Sequence, residues 1–443
     1  MLPRKNSFPN TLRKVYSRLI YLTIILFLVV ACQKEEPEDN RTFHEKLYDL
    51  NGVQISEIDP PFGHSLAFQL DITQPVDHQN PNGPTFTQRA YLHHADESLP
   101  VVFGPSGYAV SSRTGQELSG ILQCNLLTVT HRFFEGSRPD PVEWEYLTIE
   151  QAAADHHHIV SLLEDIYEGP WISSGASKSG QTVLFHKKFW PDDVDATVAY
   201  VAPIVYGTHD QRFITFLDTV GSEECRDRLH DFQRLLLQKR DSIIPLFVQW
   251  FPDHSYTFSL DTNEAFEYAV LEFHYAFWQF HNKDCSTIPG DSATYQELAD
   301  YLTGVLWMNT FSDYYMYFYE PYVYQALTET GYPAYATEHL SDLLLYTTNP
   351  GAEFFLPGNI STTYNPLPIE DITNWLKSEG NNIIYIYGGI DPWSAAMFEP
   401  GSGTNALRII QPGADHSVRI GYLDEKEVVI ETLEDWLGIE INY

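Results

Sequence analysis

The strongest constraint on this chain is a strand–helix rhythm that stops after Pro203 and resumes near residue 380. Four short apolar runs come first: LPVVF (99–103), NLLTVTH (125–131), WISS (171–174) and ATVAYVAP (196–203). Helical patterns follow the second and third, within 148–168 and in QTVLFHKKF (181–189). Strands that are apolar along their whole length are buried on both faces. The pattern therefore predicts a mostly parallel sheet with helices on both sides. Ahead of these runs, SLAFQLDI and TFTQRAYLH flank the turn-rich HQNPNGP and read as further short strands within 51–103.

Between about 207 and 340 no such alternation exists. Long helical patterns rich in aromatics replace it, as in HDFQRLLLQKRDSIIPLFVQWF and AFEYAVLEFHYAFWQFH. From about 380 the strands NIIYIYGG and ALRIIQ and the amphipathic EVVIETLEDWLG restore the first rhythm. The expected organisation is one α/β core made from 51–206 and 341–443, with a helical cap, 207–340, inserted between the two parts. No internal repeat is visible.

The chemistry concentrates where strand WISS ends. Gly175, Ser177 and Ser179 of the run SSGASKSGQ fit a nucleophile elbow, whose small neighbours allow a serine on a sharp strand-to-helix turn. A serine hydroxyl needs a base. In the α/β-hydrolase arrangement an acid and then a histidine follow the serine in the chain, at the ends of late strands. Asp391 follows NIIYIYGG and His416 follows ALRIIQ, so Ser177, Asp391 and His416 have the required order and places. Lys178 lacks the S-x-x-K spacing of a Ser–Lys dyad; its backbone N–H is the expected oxyanion donor, with Gly107 or Tyr108 after LPVVF as the second. Consecutive helical residues point about 100° apart, so His156, His157 and His158 cannot share one metal ion. This reading needs no metal and no cofactor.

The N-terminus predicts export. Residues 1–31 carry Arg4, Lys5, Arg13, Lys14 and Arg18 and no acid, and they end in an apolar run from Leu19 to Ala31. Val29-Val30-Ala31-Cys32 has the form of a bacterial lipobox, which would make Cys32 a lipidated first residue on a polar tether, 32–50. The membrane is then a partner through this anchor only, at the outer membrane or cell surface of a Gram-negative bacterium. The whole chain has 26 Lys+Arg against 60 Asp+Glu, a net charge of −34 that repels phosphate backbones and excludes nucleic acid. Cys124, in LQCNLLTV, reads as a buried thiol, which leaves Cys225 and Cys285 as the pair for a disulfide in an exported chain.

The segments EYLTIEQAAADHHHIV, WISSGASKSGQT and FWPDDVDATVAYVAP, flanked by QPVDHQNPNGPTFTQR, HRFFEGSRP, YQALTETGY and YGGIDPW, resemble the secreted prolyl tri/tetrapeptidyl aminopeptidases. Several also resemble the Pro-X carboxypeptidase and dipeptidyl peptidase II group. The likeness covers most of 65–420. It implies an α/β-hydrolase core with a helical cap, a serine peptidase using Ser177, His416 and Asp391, and release of short N-terminal peptides, often after proline. It also places Gln325 and Glu329 near the active site, where a carboxylate would bind a substrate's α-amino group. Two departures stand out. Ser179 replaces a glycine of the family elbow S-K-G-G, and Pro105-Ser106-Gly107-Tyr108 replaces T-E-G-Y. Two other readings stay open beside the exopeptidase: an esterase or other acyl hydrolase with the same triad, and an inactive surface lipoprotein that binds through its aromatic cap.

Overall fold

The structure, a computed structural model, describes residues 39–61, 63–280, 284–347 and 350–443. The export segment and Cys32 lie outside the described residues. The chain divides into two compact units, Met1–Lys46 and Leu47–Tyr443. In the first, Arg41 pairs with Asp39 at 2.6 Å, and Glu45 accepts from the Thr42 N–H at 2.7 Å; the short helix α1, Phe43–Tyr48, begins there and runs past the boundary.

The second unit is built on nine strands: β1 (Val53–Ile58), β2 (Leu66–Pro75), β3 (Thr85–His94), β4 (Val101–Pro105), β5 (Asn125–Val129), β6 (Trp171–Ala176), β7 (Ala196–Tyr200), β8 (Ile383–Gly388) and β9 (Ala406–Gln411). They lie in the order β1-β2-β3-β5-β4-β6-β7-β8-β9. The pairs from β1 through β3 to β5 are antiparallel and all others are parallel. Every residue of β4, β5, β7 and β8 is buried, as their uninterrupted apolar sequences require.

Helices cover both faces. On one, α2 (Glu117–Leu122) and α12 (Lys426–Leu437) bring Leu118, Val429 and Leu433 against Val102, Ile172, Val198 and Ile384. On the other, α4 (Lys178–Phe189) and α11 (Leu367–Ser378) bring Val183, Leu184, Ile372 and Leu376 against Ala199 and Tyr385. Helix α3 (Ile149–Leu163) packs beside α4. This is the α/β-hydrolase architecture.

Among the described residues no strand lies between β7 and β8. That stretch holds α5 (Arg212–Leu217), α6 (Glu223–Gln238), α7 (Arg240–Asp253), α8 (Thr262–Phe280), α9 (Tyr295–Val305) and α10 (Asp313–Gln325). They close on an aromatic core that includes Phe232, Phe247, Phe266 and Phe273. Cys225 at the start of α6 is disulfide-bonded to Cys285, while Cys124 is a free, buried thiol. Ala352–Phe355 forms a short turn that packs on Val323 and Leu327, so the chain stays with the helical part until it enters α11.

The strand order sets the position of the site. From β4 the chain moves outward to β5, then returns across β4 to β6. The carboxyl ends of β4 and β6 are therefore adjacent, with Val102 opposite Ile172 and Phe103 opposite Ser173, and the chain leaves them in opposite directions. Crevices in open α/β sheets form at such reversals.

Candidate active site

Ser177 stands at that reversal. It ends the strand side of the elbow and caps α4 with φ +58° and ψ −125°, a conformation an L-residue holds only when its surroundings impose it. Its N–H donates to Tyr200 O at 2.9 Å, and its carbonyl accepts from the Gln181 N–H at 3.0 Å. Gly175 makes the turn possible, because a Cβ there would lie 2.4 Å from Ser179 O. The elbow holds Ser177 partly open to a cleft.

His416 and Asp391 meet across the ends of β9 and β8. His416 Nδ1 bonds Asp391 Oδ2 at 2.7 Å, and Asp391 is fully buried. The Trp393 N–H donates to Asp391 Oδ1 at 3.1 Å, which leaves Oδ2 aimed at the imidazole. The His416 N–H donates to Gln279 O at 3.0 Å, so helix α8 fixes the loop carrying the histidine. Phe280 and Trp393 pack their rings 5.5 and 6.4 Å from the imidazole, and both line the cleft that Ser177 faces. Among the described residues no hydrogen bond joins Ser177 Oγ to His416. Catalytic contacts of this kind commonly tighten only when substrate is bound.

The loop after β4 lies on the elbow. A Cβ on Gly107 would sit 2.5 Å from Lys178 Cγ. The two amides expected as second oxyanion donors each have an acceptor within the protein. The Gly107 N–H donates to Ser179 Oγ at 3.0 Å, and the Tyr108 N–H donates to Ser106 Oγ at 3.0 Å. Both amides are occupied by hydroxyls, and both hydroxyls belong to the residues that depart from the family pattern. The Lys178 N–H, first in its helix, has no intrahelical acceptor and remains the donor at the elbow. The Lys178 side chain turns inward. Its Nζ donates to Gln325 Oε1 at 2.7 Å, and burial pulls its pKa down to about 7.

Gln325 and Glu329 are not cleft residues. Gln325 is buried as the partner of Lys178. Glu329 accepts from the Ile149 N–H at 2.7 Å, at the amino end of α3, and burial lifts its carboxyl to about 7. The cause is local: after α10 the chain widens into a π turn, Ala326–Thr330, that swings Glu329 towards the free amides of α3. The three consecutive histidines separate as their helix demands. His157 bonds Asp193 and stacks on Trp190, His158 bonds Gln74, and His156 is enclosed beside His131 and His186.

The sequence reading missed Glu272. It is the one acid among the described residues lining the cleft. It accepts from the hydroxyl of Tyr335, which the Tyr332 hydroxyl meets in turn, and burial raises its pKa. The rest of the wall is mainly apolar and aromatic, with Trp307, Met316, Tyr319 and Tyr322 from the helical part.

A strained serine at a topological reversal, facing a cleft beside a buried Asp–His pair, is the site of an acyl-transfer enzyme. Residues 36–442 match the family model described as PS-10 peptidase S37. The chain belongs to this family. It is a serine peptidase. It is 33% identical over 405 residues to the prolyl tri/tetrapeptidyl aminopeptidase of Streptomyces mobaraensis, covering 89% of this chain and 85% of that one. Among solved structures, it is similar to a proline iminopeptidase from Mycobacterium smegmatis (10% identity, 83% of this chain and 98% of that chain, TM-score 0.38). It is likewise similar to a prohormone-processing carboxypeptidase from Saccharomyces cerevisiae (12% identity, 85% and 93%, TM-score 0.40).

Proposed function

We propose that this peptidase S37 member is a lipid-anchored exopeptidase that releases tri- or tetrapeptides, with a preference for proline, from free N-termini. The observation that carries the reading is the strained Ser177 facing a cleft whose lining residues Phe280 and Trp393 pack against the imidazole of the buried Asp391–His416 pair. In the proposed reaction His416 takes the Ser177 proton as Oγ attacks the scissile carbonyl. Asp391 keeps the other imidazole nitrogen protonated and stabilises the imidazolium. The Lys178 N–H receives the oxyanion. His416 then returns the proton to the departing amine, and water repeats the sequence to release the acyl peptide. The aromatic rings at Trp307, Tyr319 and Tyr322 offer flat apolar surface suited to a prolyl ring. Cys32 would carry the lipid, and the acidic tether that follows would hold the peptidase clear of the membrane. The peptide relationship with the Streptomyces mobaraensis enzyme supports the substrate class.

The test uses the full chain in detergent with Ala-Ala-Pro-p-nitroanilide, its N-acetylated twin, and Ser177→Ala as the blank. Release from the free peptide alone is expected. Release from neither, with p-nitrophenyl acetate still hydrolysed, would move the substrate to esters.

A further inference from the structure

We propose that Glu272 binds the free α-ammonium group of the substrate and that helix α8 measures the length of the peptide released. The proposal rests on the exopeptidase reading and assigns the residue that enforces it.

Glu272, Ala276, Gln279 and Phe280 all line the cleft. Their spacing of four, seven and eight residues from the first puts them on one face of α8, running lengthwise along the wall. One end of this stripe is fixed at the reacting centre, because Gln279 O accepts from the His416 N–H and Phe280 packs edge-on to the imidazole. The other end carries the carboxylate. Seven residues of α-helix rise about 10.5 Å. An extended peptide advances about 3.3 Å per residue. Three residues therefore fit between the scissile bond and an amino group at Glu272.

The chemistry of the carboxylate points the same way. Acids that are taken out of water are normally paired with a cation. The chain does this elsewhere: Glu267, five residues earlier on the same helix, is buried against Arg240 at 2.6 Å and accepts three backbone N–H groups. Glu272 has no such partner; among the described residues no Lys, Arg or His forms an ion pair with it. Its hydrogen-bond partner is the phenol of Tyr335, itself met by Tyr332, which orients the carboxylate and leaves part of it open to the cleft. A primary ammonium entering from the cleft supplies the missing charge. An acetylated amine does not.

The test compares wild type and Glu272→Gln on Ala-Ala-Pro-p-nitroanilide and its N-acetyl twin, with labelling of Ser177 by a small fluorophosphonate as the measure of an assembled site. Wild type is expected to favour the free peptide at least 100-fold in kcat/KM. Glu272→Gln is expected to lower kcat/KM for the free peptide at least 100-fold, bring the two substrates within about threefold of each other, and still label. A labelled variant that keeps the wild-type ratio overturns the assignment while leaving the exopeptidase reading intact. A wild type that cleaves neither peptide, or both alike, overturns both. Glu272→Asp guards against misfolding of the first variant. It retains the charge but withdraws it by one methylene, so it is expected to keep the free-amine preference and shift the optimum from tri- towards tetrapeptide. An unchanged length profile overturns the measuring role.

Discussion

Gly107→Ala tests whether the loop after β4 is seated on the elbow as closely as its geometry states. The new Cβ would lie 2.5 Å from Lys178 Cγ and 2.8 Å from the Lys178 carbonyl carbon, where ordinary contact begins near 3.4 Å. The side chain can swing away, but the backbone carbon cannot. Loop and elbow must therefore part by a sizeable fraction of an ångström. Gly107 does not have a positive φ, so the cost comes from the contact and not from backbone conformation. Overpacking of this kind costs about 1–3 kcal/mol. Loss of unfolded-chain entropy returns only about 0.4–1 kcal/mol. The larger effect falls on rate, because the Lys178 N–H and Ser177 Oγ move with the elbow, and a misplacement near 1 Å costs about 100-fold. The expected result is a kcat roughly 100-fold lower on Ala-Ala-Pro-p-nitroanilide, with a modest loss of thermal stability. Gly115→Ala, in the same connection but with nothing within 4 Å of its Cβ, is expected to match wild type in both. If Gly107→Ala kept kcat within threefold of wild type, the close seating of loop on elbow would be refuted.

Three further outcomes follow. Asp391→Asn removes the acceptor at His416 Nδ1 and favours the wrong tautomer, so kcat should fall about 10³–10⁴-fold with KM little changed, as read from steady-state kinetics. Glu329 has a folded pKa of about 7, above its ordinary 4.5, so it holds an extra proton when folded. Its stabilising contribution is complete below pH 4.5 and is lost as pH rises to 7, a change of at most about 3 kcal/mol. Glu329→Gln should flatten that part of the denaturation profile without altering the preference for free over acetylated peptide. Replacing Cys225 and Cys285 together by alanine opens a link across 60 residues of sequence and should cost about 4 kcal/mol on the chain-entropy account, seen as a lower urea midpoint.

The parts of the site that were legible in the sequence are those fixed by local rules. An elbow needs small residues at set spacing around a serine, and Gly175 and Ser179 sit within two residues of Ser177. Asp391 and His416 were legible because they immediately follow strands whose apolar runs are unambiguous. What failed was the placing of Gln325 and Glu329, which depended on how the end of the cap's last helix packs; the Cys225–Cys285 pairing in the same cap held. Glu329 sits in the segment YQALTETGY, but a π turn of five residues decides its direction, and spacing carries no sign of that turn. Glu267 and Glu272 are alike in sequence, two acids in one apolar helix. Five residues turn an α-helix by about 140° beyond a full revolution, so one acid meets Arg240 and the other meets the cleft. The partner that distinguishes them comes from another helix. The same limit hid the occupation of the Gly107 and Tyr108 amides, whose acceptors include a side chain on the far side of the sheet reversal.

The two departures from the family pattern are one feature in space. By the resemblance given above, Ser106 stands where the prolyl tri/tetrapeptidyl aminopeptidases carry an acid in the loop after β4, and Ser179 where they carry a glycine in the elbow. Their hydroxyl oxygens lie 3.5 Å apart, and each takes a backbone N–H of the loop. A glycine at 179 offers no acceptor, so the Gly107 amide would need another partner or remain free for an oxyanion. With serine there, the amide is already bonded, and the oxyanion depends more heavily on the Lys178 N–H. An acid at 106 would also place a negative charge beside the developing oxyanion, opposing it unless a substrate ammonium neutralised it. With serine at 106 no carboxylate stands in that loop position, and two hydroxyls hold the loop amides. On the proposal above, recognition of a free amine then falls to the only acid among the described cleft residues, Glu272 on α8. The distance from Glu272 to Gln279 is set by helix geometry and the Gln279 carbonyl holds the histidine loop, so on this proposal the released length should vary less with loop motion than it would if the amine were held by the β4 loop.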